Sequence, residues 1–240
     1  MTSLDEVPAY ADLTVIAVPD DVVEVVAAGL AGADWSGKAA VHTCGSKDSA
    51  ALSVLTAQGA MIGTLHPAFP FADTETAIAK LPGAAFAVEA EDTRLYGWLV
   101  ELVAALEGHL LTIPPGQKAL YHAALVIASN YTVILYAAAE ALLMQIGAER
   151  EAADAALNAL MAGTVENLRA KGIPDALTGP LMRADVATIG SHLRALADEP
   201  ALTEIYTALA RLSYPMLEAR GLSTDKIEML LRGNHASKHP

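Results

Sequence analysis

Short apolar runs alternate with helix-like stretches through the first half of the chain. Continuous apolar strands that alternate with helices are typical of a mostly parallel α/β sheet. The predicted strands are residues 13–18, 38–42, 60–65, 85–89 and 109–113. The predicted helices between them are residues 22–30, 48–58 and 92–107.

The pattern changes at Pro114-Pro115, after which no run is typical of a strand. We therefore predict a Rossmann-like α/β domain over residues 1–114 and an all-α domain over residues 115–240. The predicted helices of the second domain are residues 116–146, 148–170, 181–197, 200–220 and 224–232.

Composition and charge exclude several classes of protein. Hydrophobic residues make up 53% of the chain and charged residues 18%, which is unlike a disordered chain. The net charge of −13 argues against nucleic acid as a partner, because nucleic acid is held by a positive patch. A single cysteine, Cys44, excludes a disulfide scaffold. Because residues 1–12 lack the apolar core of a secretory signal, we expect a cytoplasmic protein.

Residues 119–139 are apolar enough to be mistaken for a membrane span. However, His122, Ser129 and Asn130 interrupt the stretch, and basic residues do not cluster at its ends. A helix that is apolar on nearly all faces can also form the buried centre of a helical domain or a dimer. We therefore expect a helix at a dimer interface, and no membrane.

Three segments together carry a resemblance to a known family. The chain resembles bacterial Rossmann-like proteins with a helical C-terminal domain of unknown function, in the 6-phosphogluconate-dehydrogenase-like superfamily. β-Hydroxyacid dehydrogenases and ketopantoate reductases belong to the same superfamily. The segments are ADLTVIAVPD at 11–20 with HTCGS at 42–46 and LHP at 65–67, KALYHAALVIASNY at 118–131, and GPLMRAD at 179–185.

The resemblance implies a two-domain reductase that uses NADP or NAD, forms a homodimer through its helical half and reduces a small oxo acid such as ketopantoate. Members of this family begin with a βαβ unit that carries a G-x-G-x-x-G turn. This sequence contains no such turn, and only ten residues precede Ala11.

Two alternatives follow from this difference. The sequence is a piece of a longer protein, or the protein has no pyrophosphate cradle. The alternative function is a non-catalytic dimeric scaffold or a small-ligand-binding protein derived from a reductase. In either case strand 13–18 becomes an edge of the sheet, and an unpaired apolar edge favours pairing with another chain.

The predicted helix 116–146 carries the candidate catalytic residues Lys118, His122 and Asn130, with Ser129 as a substrate ligand. At about 100° per residue, Lys118, Ser129 and His122 share one helix face, and Asn130 lies at its edge. A partly buried ammonium at Lys118 can donate a proton to a carbonyl oxygen as hydride reaches its carbon. The alternative is that Lys118 solvates the helix start and His122 is a core histidine.

A second cluster, Arg183 and Asp185, follows a predicted helix start at Thr178-Gly179-Pro180. Arg183 can bind a substrate carboxylate through its two-pronged guanidinium group. Asp185 can orient Arg183 or pair with His192. The alternative is a capped helix with a structural ion pair.

The third cluster follows the predicted strands, where ligands bind in doubly wound sheets. His66 is a candidate substrate ligand. The candidate cofactor ligands are Val18, Pro19, His42 and Cys44. A metal site at His42, Cys44 and His66 is the alternative, but their spacing fits no closed zinc pattern, and we expect no metal. Nor does any sequence around Cys44 resemble that of a catalytic nucleophile.

Overall fold

The structure is a computed structural model that describes residues 4–236. The chain divides into two compact units, Met1–Val133 and Ile134–Pro240, which we call the N-terminal and C-terminal units. The last strand ends at Thr112, near the predicted boundary at residue 114, and the compact units divide later, after Val133. The outermost residues of both predicted domains, 1–3 and 237–240, lie outside the described part.

The N-terminal unit contains one five-stranded sheet in the order β1-β2-β3-β4-β5. Its strands are β1 Leu13–Ile16, β2 Ala39–His42, β3 Met61–Ala68, β4 Ala85–Ala90 and β5 His109–Thr112. All neighbours are parallel except β3 and β4, which are antiparallel. The predicted α/β class, with a mostly parallel Rossmann-like sheet, is therefore confirmed. As predicted, β1 is an edge strand.

Helices cover both faces of this sheet, so its central strands are buried. All four residues of β2 are buried. One core contains Val23, Leu30 and Trp35, and a second contains Phe86 and Leu95. Burial on both faces explains why the strands are continuous apolar runs without alternation. The helices are α1 Val23–Leu30, α2 Ser53–Thr56, α3 Thr74–Lys80, α4 Thr93–Ala105 and α5 Lys118–Ala128.

Strand β3 is longer than predicted, because it continues through His66 and Pro67 to Ala68. Its pairing with β2 ends at Thr64, and beyond that point it pairs only with β4. Pro67 therefore lies where one side of the strand has no partner, the position at which a sheet tolerates proline. Helix α3 was not predicted, although Asp73 caps it by accepting a hydrogen bond from the Thr76 amide (2.8 Å).

After β5 the described chain contains no further strand, as predicted. The helices are α6 Asn130–Gln145, α7 Arg150–Lys171, α8 Val186–Ala195, α9 Pro200–Leu212, α10 Tyr214–Ala219 and α11 Asp225–Ala236. The core of the C-terminal unit includes Ile189, Leu217 and Leu231. This helical region follows the α/β region in the order that the sequence predicts.

Three predicted helices are interrupted. Helix 116–146 breaks at Ser129. There the Thr132 hydroxyl donates to the Ala128 carbonyl (2.9 Å) and competes with the backbone hydrogen bonds of the helix. Helix 181–197 breaks at Ala184, which has a left-handed φ of 49°. Helix 200–220 breaks near Pro215, which has no amide hydrogen to continue the ladder.

Candidate functional site

A pocket of 590 Å³ lies within the N-terminal unit, between the end of β3, the following loop and helix α5. Its wall is largely apolar, with Phe69 and Leu125 among its residues. Its polar lining consists of His66, His122, Ser129 and Asn130. The structure therefore brings together four residues that the sequence singles out from two separate segments.

His66 is held in a neutral form at this pocket. Its Nδ1 lies 2.7 Å from the Tyr121 hydroxyl oxygen. Burial is the main cause that lowers the pKa of His66 to about 4, and the positive charges of Lys118 and His122 lower it further. Burial also raises the pKa of Tyr121 to about 12, so the phenol keeps its proton. With the phenol donating to Nδ1, the imidazole proton resides on Nε2.

Gly45 allows the two pocket histidines to pack closely. A Cβ atom at this position would lie 2.6 Å from His122 Cδ2 and 2.8 Å from His66 Nε2. The two rings meet edge to face, with centroids 6.3 Å apart. Gly45 lies in the segment HTCGS, residues 42–46, and the sequence alone predicts no role for it. The signal for its role is spatial, because it depends on two rings that are distant in sequence.

Lys118 lies behind the pocket and does not line it. It is 1% exposed, and its Nζ lies 5.2 Å from the centroid of the Tyr121 ring. No hydrogen-bond partner of Nζ is found in the described part of the chain. Burial lowers the pKa of Lys118, while the nearby carboxylate of Glu89 opposes this shift. Lys118 is therefore not among the residues that line this pocket, and its role as a proton donor stays a prediction.

Glu89 is the site residue that the sequence analysis missed. It is 3% exposed on β4. Its Oε1 accepts hydrogen bonds from the Ser49 amide (3.2 Å) and hydroxyl (2.8 Å). Its Oε2 has no partner among the described residues. A carboxylate inside the apolar strand AFAVEA is the sequence signal that could have identified it.

The polar atoms of His42 and Cys44 are used within the protein. His42 is fully buried, its Nδ1 accepts from the Cys44 amide (3.2 Å), and its Nε2 donates to the Asp48 carbonyl (2.9 Å). The Cys44 Sγ accepts from the Lys47 amide (3.3 Å). These contacts support a structural role for both residues at the end of β2. In the described range, no three His, Cys, Asp or Glu side chains form a metal-binding group.

Val18 and Pro19 follow β1, as predicted for residues at a strand end. Val18 packs against the core beside β1, and Pro19 precedes the 3-10 turn Asp20–Val22. Neither side chain carries a polar group that could bind a cofactor.

Arg183 and Asp185 lie in the C-terminal unit. Arg183 ends the 3-10 turn Leu181–Arg183, and Asp185 caps α8. Asp185 accepts hydrogen bonds from the Thr188 amide (3.0 Å) and hydroxyl (2.7 Å), which lower its pKa. His192 lies 2.9 Å from the Tyr206 hydroxyl. The predicted pairing of Asp185 with Arg183 or His192 is therefore replaced by a helix cap.

The helix starts beyond β1 and β2 do not fit a dinucleotide pyrophosphate. A pyrophosphate needs free backbone amides and a positive field at a helix N-terminus. After β1 the first turn carries Asp20 and Asp21, and after β2 Asp48 accepts from the Ala50 amide. Hydrogen bonds from Cys44 and Ser46 lower the pKa of Asp20, so this carboxyl stays charged. The described residues therefore place negative charge at both of these helix starts.

Comparison with known families agrees with this architecture. The family described as a domain of unknown function, DUF2520, matches residues 84–213, and a Rossmann-like domain matches residues 1–67. The first match covers more than half of the chain. The chain belongs to the DUF2520 family. The DUF2520 match includes β4, β5 and α5, and therefore Glu89, Lys118 and His122. No curated protein matches this DUF2520 chain.

Solved structures share the fold of this DUF2520 protein. Protein TM1727 from Thermotoga maritima has a TM-score of 0.73 at 24% identity, covering 88% of this chain and 80% of that one. BF3122 from Bacteroides fragilis, assigned as an NADP oxidoreductase, has a TM-score of 0.66 at 27% identity, covering 88% and 78%. Plasmodium falciparum pyrroline carboxylate reductase with NADP bound has a TM-score of 0.57 at 16% identity, covering 90% and 81%. The fold is that of NAD(P)-dependent reductases.

The stretch Lys118–Gln145 of this DUF2520 protein is long and apolar enough to cross a membrane. It is the one such stretch in the described part of the chain, and length and composition alone identify it. A single stretch of this kind is weak evidence for a membrane protein, because the core helix of a soluble protein passes the same test.

We expect the N-terminal unit of this DUF2520 protein to lose stability as the pH falls from about 6.5 to about 4. Folded His66 has a lowered pKa of about 4, whereas the unfolded chain binds the proton near the ordinary value of 6.5. Above this window both states are neutral, and below it both are protonated, so the loss is complete near pH 4. Urea unfolding at several pH values measures this dependence.

The matched variants for this experiment are His66→Gln and His109→Gln. His109 is exposed on β5, so its replacement should leave the pH dependence unchanged. His66→Gln should weaken it without abolishing it, because burial also lowers the pKa of His42 in the same unit. If the free energy of unfolding falls with pH equally in wild type and His66→Gln, His66 is not the group that causes the loss of stability.

Proposed function

We propose that the pocket of the N-terminal unit binds a small oxo acid, as the substrate side of a reductase that uses NADP or NAD. The observation that carries this proposal is the convergence of His66, His122, Ser129 and Asn130 on one largely apolar cavity. An apolar cavity with a few convergent polar groups is the usual form of a small-molecule site. The name of pyrroline carboxylate reductase, a protein of the same fold, also specifies a small carboxylate substrate.

The roles follow from the donors in the pocket. The neutral His66 imidazole can donate its Nε2 hydrogen to the carbonyl oxygen of the ligand, where negative charge develops during reduction. The Ser129 hydroxyl and the Asn130 amide can donate to a carboxylate. His122, in edge-to-face contact with His66, completes the polar side of the cavity. The apolar wall suits a short branched carbon chain, as in ketopantoate.

NAD(P)H supplies the hydride in reductases of this fold. Because the described helix starts carry carboxylates, we propose that this chain binds the acid better than it binds the nucleotide. A second candidate function follows from the same carboxylates: a small-ligand-binding protein that has lost reduction. In both cases we propose a cytoplasmic location, since the free Cys44 thiol fits a reducing compartment.

Calorimetric titration with ketopantoate and, separately, with NADPH tests these proposals. We expect the oxo acid to bind with a Kd below about 1 mM, and His122→Phe to weaken it at least about tenfold. His109→Phe is the matched control, because His109 lies on β5 and does not line the pocket. Oxidation of NADPH upon addition of the acid supports the reductase, whereas acid binding without oxidation supports the binding protein. No acid binding at several millimolar would refute both.

We also propose a homodimer that pairs through the apolar surface of α6. None of the residues of α6 is buried within the chain, and Val133 and Ile134 are 68% and 57% exposed. Exposed apolar surface of this extent is typical of a subunit interface. We expect light scattering to give twice the monomer mass, and Ile134→Glu to give a monomer.

The control for this prediction is Val25→Glu on α1, which is 69% exposed and should leave the mass unchanged. A wild-type monomer at micromolar concentration would contradict the homodimer.

A further inference from the structure

Three polar side chains form a buried row across the centre of the sheet. His42 on β2 is in register with Thr64 on β3, and Thr64 is in register with Glu89 on β4. Residues paired in register project from the same face of a sheet. His42 and Thr64 are fully buried and Glu89 is 3% exposed. The neighbouring residues on β2 and β4, such as Val41 and Val88, are apolar and buried.

Only part of this polar row has hydrogen-bond partners. Both His42 nitrogens are satisfied, whereas Thr64 Oγ1 and Glu89 Oε2 have no partner in the described chain. Ser49 holds Glu89 Oε1 through two hydrogen bonds and thereby fixes the orientation of the carboxylate. A fixed, buried carboxylate oxygen without a partner is costly unless a positive charge lies near it.

Lys118 supplies that positive charge. It is equally buried, and its Nζ also has no hydrogen-bond partner among the described groups. The groups that raise the pKa of Lys118 against the effect of burial are Glu89 on β4, Cys44 after β2 and Asp20 after β1, and the influence of Glu89 is the largest of the three. No ion pair within 4 Å joins Glu89 and Lys118 in the described structure, but Glu89 is the largest influence that favours the charged form of Lys118 within this buried region.

The effect of Lys118 reaches the pocket through Tyr121. The ammonium lies against the face of the Tyr121 ring, a favourable cation–π arrangement. The hydroxyl of the same ring lies 2.7 Å from His66 Nδ1. One aromatic side chain therefore contacts the buried cation with its face and the pocket histidine with its hydroxyl.

We infer that Glu89 and Lys118 are positioning residues of the candidate site. Lys118, in a buried region shared with Glu89, packs against the face of the Tyr121 ring, and the hydroxyl of this ring holds Nδ1 of His66, so that Nε2 of His66 is the ring nitrogen left for a ligand. The inference deepens the proposed function and rests on it. It also replaces the predicted role of Lys118 as the proton donor, because Lys118 does not line the pocket.

The charges that face His66 are consistent with this role. Lys118 and His122 on α5 and His42 on β2 each lower its pKa, and Asp20 after β1 raises it. The positive charge of Lys118 has the largest influence among these neighbours, after burial itself. Removal of this charge should therefore make His66 easier to protonate.

Nitrogen-15 NMR of the histidine rings, recorded on the ligand-free protein between about pH 3 and 8, tests the inference. The double variant Lys118→Met/Glu89→Gln removes both charges, and the glutamine carbonyl can still accept from Ser49. We expect the pKa of His66 to rise by at least about one unit in this variant. Lys47→Met is the control, because Lys47 forms an ion pair with Glu24 instead. An unchanged His66 pKa in a folded double variant would overturn the inference.

A second measurement separates positioning from folding. If ketopantoate binds, protonation of His66 adds a positive charge beside this anion, so the gain of affinity toward acid pH should shift upward in the double variant by the same amount as the His66 pKa. Lys47→Met should retain the wild-type profile. A shifted His66 pKa with an unshifted binding profile would refute the positioning role. Failure of ketopantoate to bind wild type would instead refute the proposed function, since the NMR titration needs no ligand.

Discussion

Lys118→Met alone should lower the free energy of unfolding of the N-terminal unit by about 1–3 kcal/mol at pH 7. The methionine fills most of the lysine volume, so the cost comes from charge and not from a cavity. It leaves the Glu89 carboxylate 3% exposed, with Oε1 held by Ser49 and Oε2 without a partner. Equilibrium urea unfolding, followed by Trp35 fluorescence, measures the loss.

The double variant Lys118→Met/Glu89→Gln tests the reason for this loss. Because it leaves no charge unpaired, it should be more stable than Lys118→Met, although it has one more substitution. Lys47→Met, at an exposed ion pair, should change the free energy by less than about 0.5 kcal/mol. If the losses in the free energy of unfolding from the two substitutions simply add in the double variant, Glu89 and Lys118 are not charge partners.

The architecture of the sheet could be predicted from the sequence because its central strands are buried on both faces. Burial of this kind requires continuous apolar runs, and β2 and β4 are such runs. The end of β3 could not be predicted in the same way. Pro67 is a strand breaker when both sides of a strand are paired, and only the topology shows that β3 has one partner there.

The candidate site could be predicted in its residue types but not in its contacts. Helical spacing places Lys118 and His122 one turn apart, which is correct for α5. Whether an ammonium on this helix reaches the ligand or a buried carboxylate depends on neighbours far apart in sequence. Glu89 on β4 is the distant neighbour, and it belongs to no motif of fixed spacing, whereas Tyr121 lies in the same segment as Lys118.

Helix interruptions had the largest effect on the predicted roles. The sequence predicts that Asp185 lies inside a helix that also includes Arg183. In the structure the left-handed residue Ala184 ends the 3-10 turn of Arg183, and Asp185 caps helix α8. Alanine is the residue type that most favours helix, so nothing local predicts this break. The break at Ser129, in contrast, has a local cause in Thr132.

Gly45→Ala should abolish binding at the pocket while the fold is retained. The new Cβ would lie 2.6 Å from His122 Cδ2 and 2.8 Å from His66 Nε2, so both rings must move. Gly45 does not have a positive φ, so alanine adds no backbone strain and acts only through these contacts. Overpacking of this kind costs about 1–3 kcal/mol of stability, and we expect at least about a hundredfold loss of ketopantoate affinity.

Gly97→Ala is the matched control for this substitution, because its Cβ would meet nothing within 4 Å on helix α4. It should increase the free energy of unfolding by up to about 1 kcal/mol, since alanine favours helix over glycine, and leave affinity unchanged. The two glycine variants therefore differ in the sign of the stability change and in binding. Wild-type affinity in a folded Gly45→Ala variant would show that the ligand site does not include the paired histidines, and the oxo-acid site would have to lie elsewhere.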